Sequence, residues 1–283
     1  MIAGRLAAGA LATFAAAAAL AQASVSTKAL ADASYPATRR DAVVDTLFGE
    51  RIADPFRWLE NDVRSDPEVA DWVARENAFT EARLAALPGR GWFAQRIRRL
   101  TDYERFGLPR KAGHRYFYLH NSGLQNQATL LVRDGLDGKP RELLDPNRWQ
   151  ADGTAALDPE LWEPSPDGGL LAYGVQQSGS DWRTIHVLDV AGGRVLADEL
   201  HWVNHSGIAW VDAHGFLYSR FPAPAPGEEF HALHLNHALW YHRVGTPQSA
   251  DSLVYATPQH PESSHVARVT GDRRYAVITS AIG

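Results

Sequence analysis

Apolar positions along this chain follow two different periods, and the change falls near Thr101. Before it they recur at helical spacing. Val69, Trp72, Val73, Phe79 and Leu84 make a rough stripe behind Asp66-Pro67-Glu68. There Asp can accept from free N–H groups, Pro loses nothing in a first turn, and Glu suits the positive end of the dipole. Pro88-Gly89 ends that helix. A second, shorter helix runs from Trp92 to Leu100, with Trp92, Phe93, Ile97 and Leu100 on one side. Arg96, Arg98 and Arg99 lie on or beside the other and read as a solvated face.

After Thr101 the period drops to that of strands. Arg115–His120, Ala128–Arg133 and Arg141–Leu144 are β runs separated by Asn121-Ser122-Gly123 and Asp137-Gly138. Pro164 to Leu196 repeats the pattern most clearly: Leu170–Val175, the turn Ser178–Asp181, Trp182–Val190, the turn Ala191-Gly192-Gly193, then Arg194–Leu196. A third copy holds Gly207–Trp210, Gly215–Arg220, Ala238–Arg243 and Leu253–Tyr255. A fourth holds Val266–Val269, the turn Gly271-Asp272 and Tyr275–Thr279. The copies recur at roughly 45–60 residues, close to the ~40–50 of propeller blades. The expected fold is mainly β: an incomplete β-propeller of three blades plus the start of a fourth, at about 106–145, 160–200, 207–257 and 264–283 (truncated). A short helical N-terminal segment over 41–100 precedes the propeller region of 101–283. Such an array leaves sheet edges unpaired, so the chain is expected to be part of something longer.

The first residues read as a targeting segment. Arg5 is the lone positive charge of the opening stretch, Leu6–Leu20 is an Ala-dominated apolar run, and Ala21-Gln22-Ala23 has the small-x-small form of a cleavage site. The expectation is a signal peptide over 1–23, cleaved after Ala23, a flexible leader over 24–40, and a periplasmic or secreted protein. The competing reading is a membrane anchor, but the run is shorter than the ~20 apolar residues of a span, so no stable membrane association is expected. Formal net charge is -5 without clustered Lys and Arg, which argues against a nucleic-acid partner. Cys is absent, excluding disulfides, thiolate nucleophiles and Cys-based metal sites.

Candidate chemistry is sparse. His231, His234 and His237 lie three apart and His242 follows, the most metal-like group of the chain. The surrounding Pro and Gly argue for a loop rather than one helix face, and no metal or other cofactor is expected. Gly168-Gly169 and Gly192-Gly193 are turn glycines. Asp181 and Asp212 read as turn caps rather than general acids. Arg133, Arg183 and Arg220 are assigned to blade surfaces. No Gly-x-Ser-x-Gly elbow occurs, so no catalytic residue is assigned.

Four segments together carry a resemblance. They are Asp54-Pro55-Phe56-Arg57-Trp58-Leu59-Glu60, Gly123-Leu124-Gln125-Asn126-Gln127, Ser178-Gly179-Ser180-Asp181-Trp182, and Tyr241 to Ser249. Taken alone, the first reads as a hydrophobic clip for the N-terminus. In this order, from about Tyr35 to the end, the four resemble the N-terminal half of the prolyl oligopeptidase family. The resemblance implies a seven-bladed propeller inserted into an α/β-hydrolase domain, with the N-terminal helices packed on the hydrolase. It implies a serine endopeptidase that cuts short proline-containing peptides after proline, behind a propeller that restricts access. The catalytic Ser, Asp and His of the family belong to the hydrolase domain, which is absent here, so this chain alone is expected to be inactive. Val254 matches a propeller position near the substrate's outer subsite, although an apolar strand residue is more often core. At full length such a protein is expected to be a monomer. The alternative is a stand-alone propeller-like binding module without chemistry.

Overall fold

The computed structural model describes residues 35–150, 154–229 and 232–282, which form two compact units, one running to Ile97 and the other starting at Arg98. The expected signal peptide and its cleavage site lie outside the described residues. No helix among the described residues is long and apolar enough to cross a membrane.

The first unit opens with an antiparallel hairpin of β1 (Val44–Leu47) and β2 (Glu50–Ala53), then a 3-10 turn at Arg57–Glu60. Helices α1 (Pro67–Ala85) and α2 (Arg90–Thr101) follow, the second passing into the other unit. α1 starts at the expected cap: the Asp66 carboxylate accepts from the N–H groups of Glu68 at 2.8 Å and Val69 at 3.4 Å. The Asp54–Glu60 segment is an aromatic clip. Trp58 is buried and meets Trp72 edge-on at 6.5 Å, and its indole N–H donates to the Arg39 carbonyl at 3.1 Å. The Trp72 indole donates to Thr38 Oγ1 at 3.0 Å, so both rings hold the incoming chain against α1. Of the stripe expected on α1, Val69 is buried and Leu84 is exposed. α2 buries nothing: Trp92, Phe93, Ile97 and Leu100 are each more than half exposed.

The second unit is a succession of antiparallel meanders. The first sheet holds β3 (Arg105–Phe106), β4 (Arg110–Ala112), β5 (Arg115–Asn121), β6 (Thr129–Asp134) and β7 (Arg141–Leu144), with β3 and β4 both on β5. The second runs β8 (Ala155–Pro164), β9 (Leu170–Gln177), β10 (Arg183–Asp189) and β11 (Arg194–Val203). The third runs β12 (Ile208–Trp210), β13 (Gly215–Arg220), β14 (Ala238–Arg243) and β15 (Ser252–Ala256). A hairpin of β16 (Ser263–Val269) and β17 (Ala276–Ile282) follows.

The cores lie between sheets rather than within them. Phe117, Leu130 and Val132 of the first sheet pack with Leu171, Tyr173 and Leu188 of the second. The other face of the second sheet gives Ala172, Ile185 and Leu200 to Trp210, Phe216 and Tyr218 of the third. Ala209, Leu217 and Leu239 continue to Ala267 of the hairpin. β9 and β10 of the second sheet are thus apolar on both faces, as strands between two other sheets must be.

β8 was not legible as a strand, because Pro159 and Pro164 interrupt it. The structure places Pro159 in a bulge: pairing with β9 shifts between Leu157↔Val175 and Trp162↔Tyr173. The Asp158 carboxylate accepts the freed N–H groups of Glu160 at 2.9 Å and Leu161 at 3.1 Å. The bulge pushes Leu161 over Gly174, where an added Cβ would stand 2.5 Å from Leu161 Cδ2.

Candidate functional site

One early strand of each sheet, β4, β8, β12 and β16, shares a groove of about 630 Å³ with the turn at 270–273. Its wall carries one built polar feature. Arg110, on β4, lays its guanidinium 3.9 Å over the Trp162 ring and pairs with Glu163 Oε2 at 2.7 Å. It also donates to the Trp162 carbonyl. Trp210 of the third sheet donates its indole N–H to the Glu163 carbonyl at 2.9 Å. Burial pushes the Glu163 carboxyl up, and the Arg110 guanidinium counters part of that rise. Lys111, Glu160, Arg268 and Arg273 complete a mixed-charge wall. The groove offers hydrogen-bond donors, acceptors and charges of both signs. The hydroxyls on this wall, Ser206 and Thr270, donate to the Gly207 carbonyl at 2.8 Å and to Asp272 Oδ1 at 2.5 Å.

Val254 lies elsewhere, on β15, the last strand of the third sheet, 45 % exposed. It is not part of the apolar core that its residue type suggested, and it does not line the groove.

Among the described residues, the histidines considered for a metal, His234, His237 and His242, form no group that could hold one. His231 lies outside the described residues. His234 packs edge-on against Trp182 at 4.9 Å and lies against Phe221 at 5.0 Å. His237 is buried, accepts the His265 N–H on Nδ1 at 2.9 Å, and places Nε2 3.1 Å from the Asn204 carbonyl. That pattern makes it a neutral ring with its proton on Nε2. Burial drives its pKa down to about 4. His242 is fully buried between two carboxylates, Asp198 Oδ1 at 2.9 Å and Asp251 Oδ1 at 2.7 Å. Among the described residues no group of three or more His, Asp or Glu is arranged to hold a metal ion.

Asp212 caps its own turn, accepting the His214 N–H at 2.7 Å. The surface assignment of Arg183 needs correction: it pairs with Asp158 Oδ2 at 3.0 Å and is mostly buried, bracing the β8 bulge. Arg220 stacks 4.2 Å over Trp240.

Three of the four recognition segments turn out to hold sheets together. Gln127 donates to the Ala155 carbonyl at 2.8 Å and accepts the Leu157 N–H at 3.2 Å, joining first sheet to second. Trp182 donates to the Glu229 carbonyl at 2.7 Å, joining the second sheet to the β13–β14 connection. His242 and Gln248 join the third sheet back to the second through Asp198 and His201.

Successive antiparallel sheets packed face to face, each placing one strand on a common groove, define a β-propeller-type domain. Residues 35–283 match the prolyl oligopeptidase N-terminal β-propeller domain, and the chain belongs to the prolyl oligopeptidase family. The prolyl endopeptidase of Elizabethkingia meningoseptica is 35% identical over 247 residues, covering 87% of this chain and 34% of its own length. A solved structure from a study of two prolyl endopeptidases is 49% identical, covers 89% of this chain and 35% of its own, and superposes with a TM-score of 0.59. Prolyl oligopeptidase B from Galerina marginata, solved with a 35-residue substrate, is 29% identical with a TM-score of 0.69, covering 88% of this chain and 37% of its own. The chain thus spans about a third of the length of these relatives.

Proposed function

We propose that this chain is the N-terminal, propeller-bearing part of an exported serine endopeptidase that cleaves short peptides after proline, and that it filters substrate without cutting it. The match of residues 35–283 to the family's propeller domain carries this reading. Two features support the division of labour. No Gly-x-Ser-x-Gly elbow occurs in the sequence. The apolar side of α2 is exposed along its length, with Trp92, Phe93, Ile97 and Leu100 all turned to solvent, an unusual cost for a surface helix. A hydrolase domain packed on that side would cover it. The groove along β4, β8, β12 and β16 is the part of the propeller through which a peptide would be admitted, and Val254 a secondary contact near an outer subsite. Export rests on the Arg5, Leu6–Leu20 and Ala21-Gln22-Ala23 pattern.

Co-expression with the C-terminal hydrolase half of the Elizabethkingia meningoseptica enzyme tests the assignment. Co-purification with cleavage of a Gly-Pro reporter is expected. Two soluble halves that neither associate nor cleave would contradict it.

A further inference from the structure

The buried array around His242 serves neither the groove nor a catalytic site. His242, on β14, has both ring nitrogens against carboxylate oxygens, and its side chain and those of Asp198 and Asp251 are sealed from solvent. Asp198 comes from β11 of the second sheet; Asp251 follows the 3-10 turn Gln248–Ala250 of the third. A neutral imidazole has one N–H and can satisfy one of the two carboxylates. At 2.7 and 2.9 Å, the other nitrogen would then present a lone pair to an oxygen anion. With both carboxylates ionised, the geometry therefore requires both ring protons.

Neighbouring donors hold the inner carboxylate oxygens, while Asp198 Oδ2 is buried without a hydrogen-bond partner. The Gly245 N–H donates to Asp198 Oδ1 at 2.5 Å, and the Tyr218 hydroxyl of β13 donates to Asp251 Oδ2 at 2.7 Å. Gln248 reaches Tyr218 at 3.1 Å and the His201 backbone of β11. The ring lies against Phe216 at 5.4 Å and edge-on to Tyr218 at 6.5 Å. The other charged groups of the flanking strands, Glu199 and His201 on β11 and Arg220 on β13, make no hydrogen bond to the ring.

We propose that His242, held between Asp198 of the second sheet and Asp251 of the third, is a proton-operated clasp on the seam between these sheets, closed when the ring carries both protons and released when it loses one. Losing the proton leaves two carboxylates sealed in a low-dielectric seam without a cation between them. Burial pushes the His242 pKa down, but the bonds to Asp198 and Asp251 outweigh it and raise it to about 9. A ring whose folded pKa lies above its ordinary value stabilises fully below that ordinary value, near 6.5. The contribution declines as pH rises and is gone above about 9. Asp198 is shifted oppositely: burial raises it, yet His242 and the Gly245 N–H hold it below the usual carboxylate range, so it stays ionised through this window.

Amide exchange of the full chain, corrected for intrinsic rates, tests the clasp. Between pH 6.5 and 9.5 protection at the Gly245 and His201 amides should fall at least tenfold, while Leu130 and Val132 in the first sheet change less than twofold. Asp198→Asn gives the neutral ring a donor for Nε2 but takes away the acceptor of the Gly245 N–H, so the variant is read at the His201 amide alone, where the fall should disappear. Uniform change across the sheets, or the same fall in Asp198→Asn as in the native chain, would overturn the proposal. If the variant does not fold, ring-nitrogen NMR of the native chain decides. His242 should be doubly protonated at pH 7.5, and a singly protonated ring there refutes the clasp.

Discussion

Gln127 and Gln248 perform the same task on opposite flanks of the second sheet. Each amide donates to one backbone carbonyl and accepts one backbone N–H of that sheet, as a neighbouring strand would. Gln127→Ala should cost about 1–2 kcal/mol, because two ladder groups at a half-buried seam lose their partner. A fall in urea midpoint with unchanged slope would show it. His237 gives a second test. With its pKa down to about 4, the folded state stays neutral where the unfolded ring, near 6.5, takes a proton. Stability should therefore be lost as pH falls from about 6.5 toward 4, a dependence that His237→Gln should flatten in denaturant midpoints. These roles were hidden in the sequence. Gln127, Gln248 and His242 stood inside recognisable segments, but a segment shows that residues recur, not which seam they close. Asp198 carried no signal at all, since its partner lies 44 positions away.

At the scale of elements, the turns and the alternating strands were readable, and the structure departs where a strand breaks its own pattern. β11 continues to Val203 through Asp198, Glu199 and His201, whose polarity reads as loop. β8 contains two prolines and survives because Asp158 caps its bulge and Gly174 leaves room for Leu161. Gly174→Ala should cost about 1–3 kcal/mol through that overpacking, read as a lowered melting temperature. Gly113 is more tightly held. Its φ is +57°, and an added Cβ would stand 2.3 Å from the Asp167 carbonyl oxygen, in the turn between β8 and β9. Gly113→Ala must shift backbone of one sheet or the other, and should destabilise at least as much as Gly174→Ala. α2 is the remaining departure. Its periodicity correctly gave one apolar side, while which surface covers that side was beyond periodicity to say.

For the whole molecule, the sequence and the structure divide the problem in the same way. Repeated meanders and four ordered segments pointed to a propeller-bearing family, and residues 35–283 belong to it. The chemistry of that family could not be located, because the triad residues have no counterpart among these segments. What the described residues provide is a set of seams, a groove of mixed charge, and an uncovered helix side. Ile97→Glu should leave the folded chain as stable as before, within about 0.5 kcal/mol, since the side chain is already exposed. It should abolish co-purification with the hydrolase half if that side is the docking face. Loss of stability with retained binding would move the docking face elsewhere.

The central claim is that this chain filters substrate and does not cut it. Incubating the purified chain with a fluorogenic Gly-Pro reporter tests it most directly. The account predicts no release above the buffer rate at any pH at which the chain remains folded. Sustained turnover that scales with chain concentration and is blocked by a serine-directed phosphonate would contradict it.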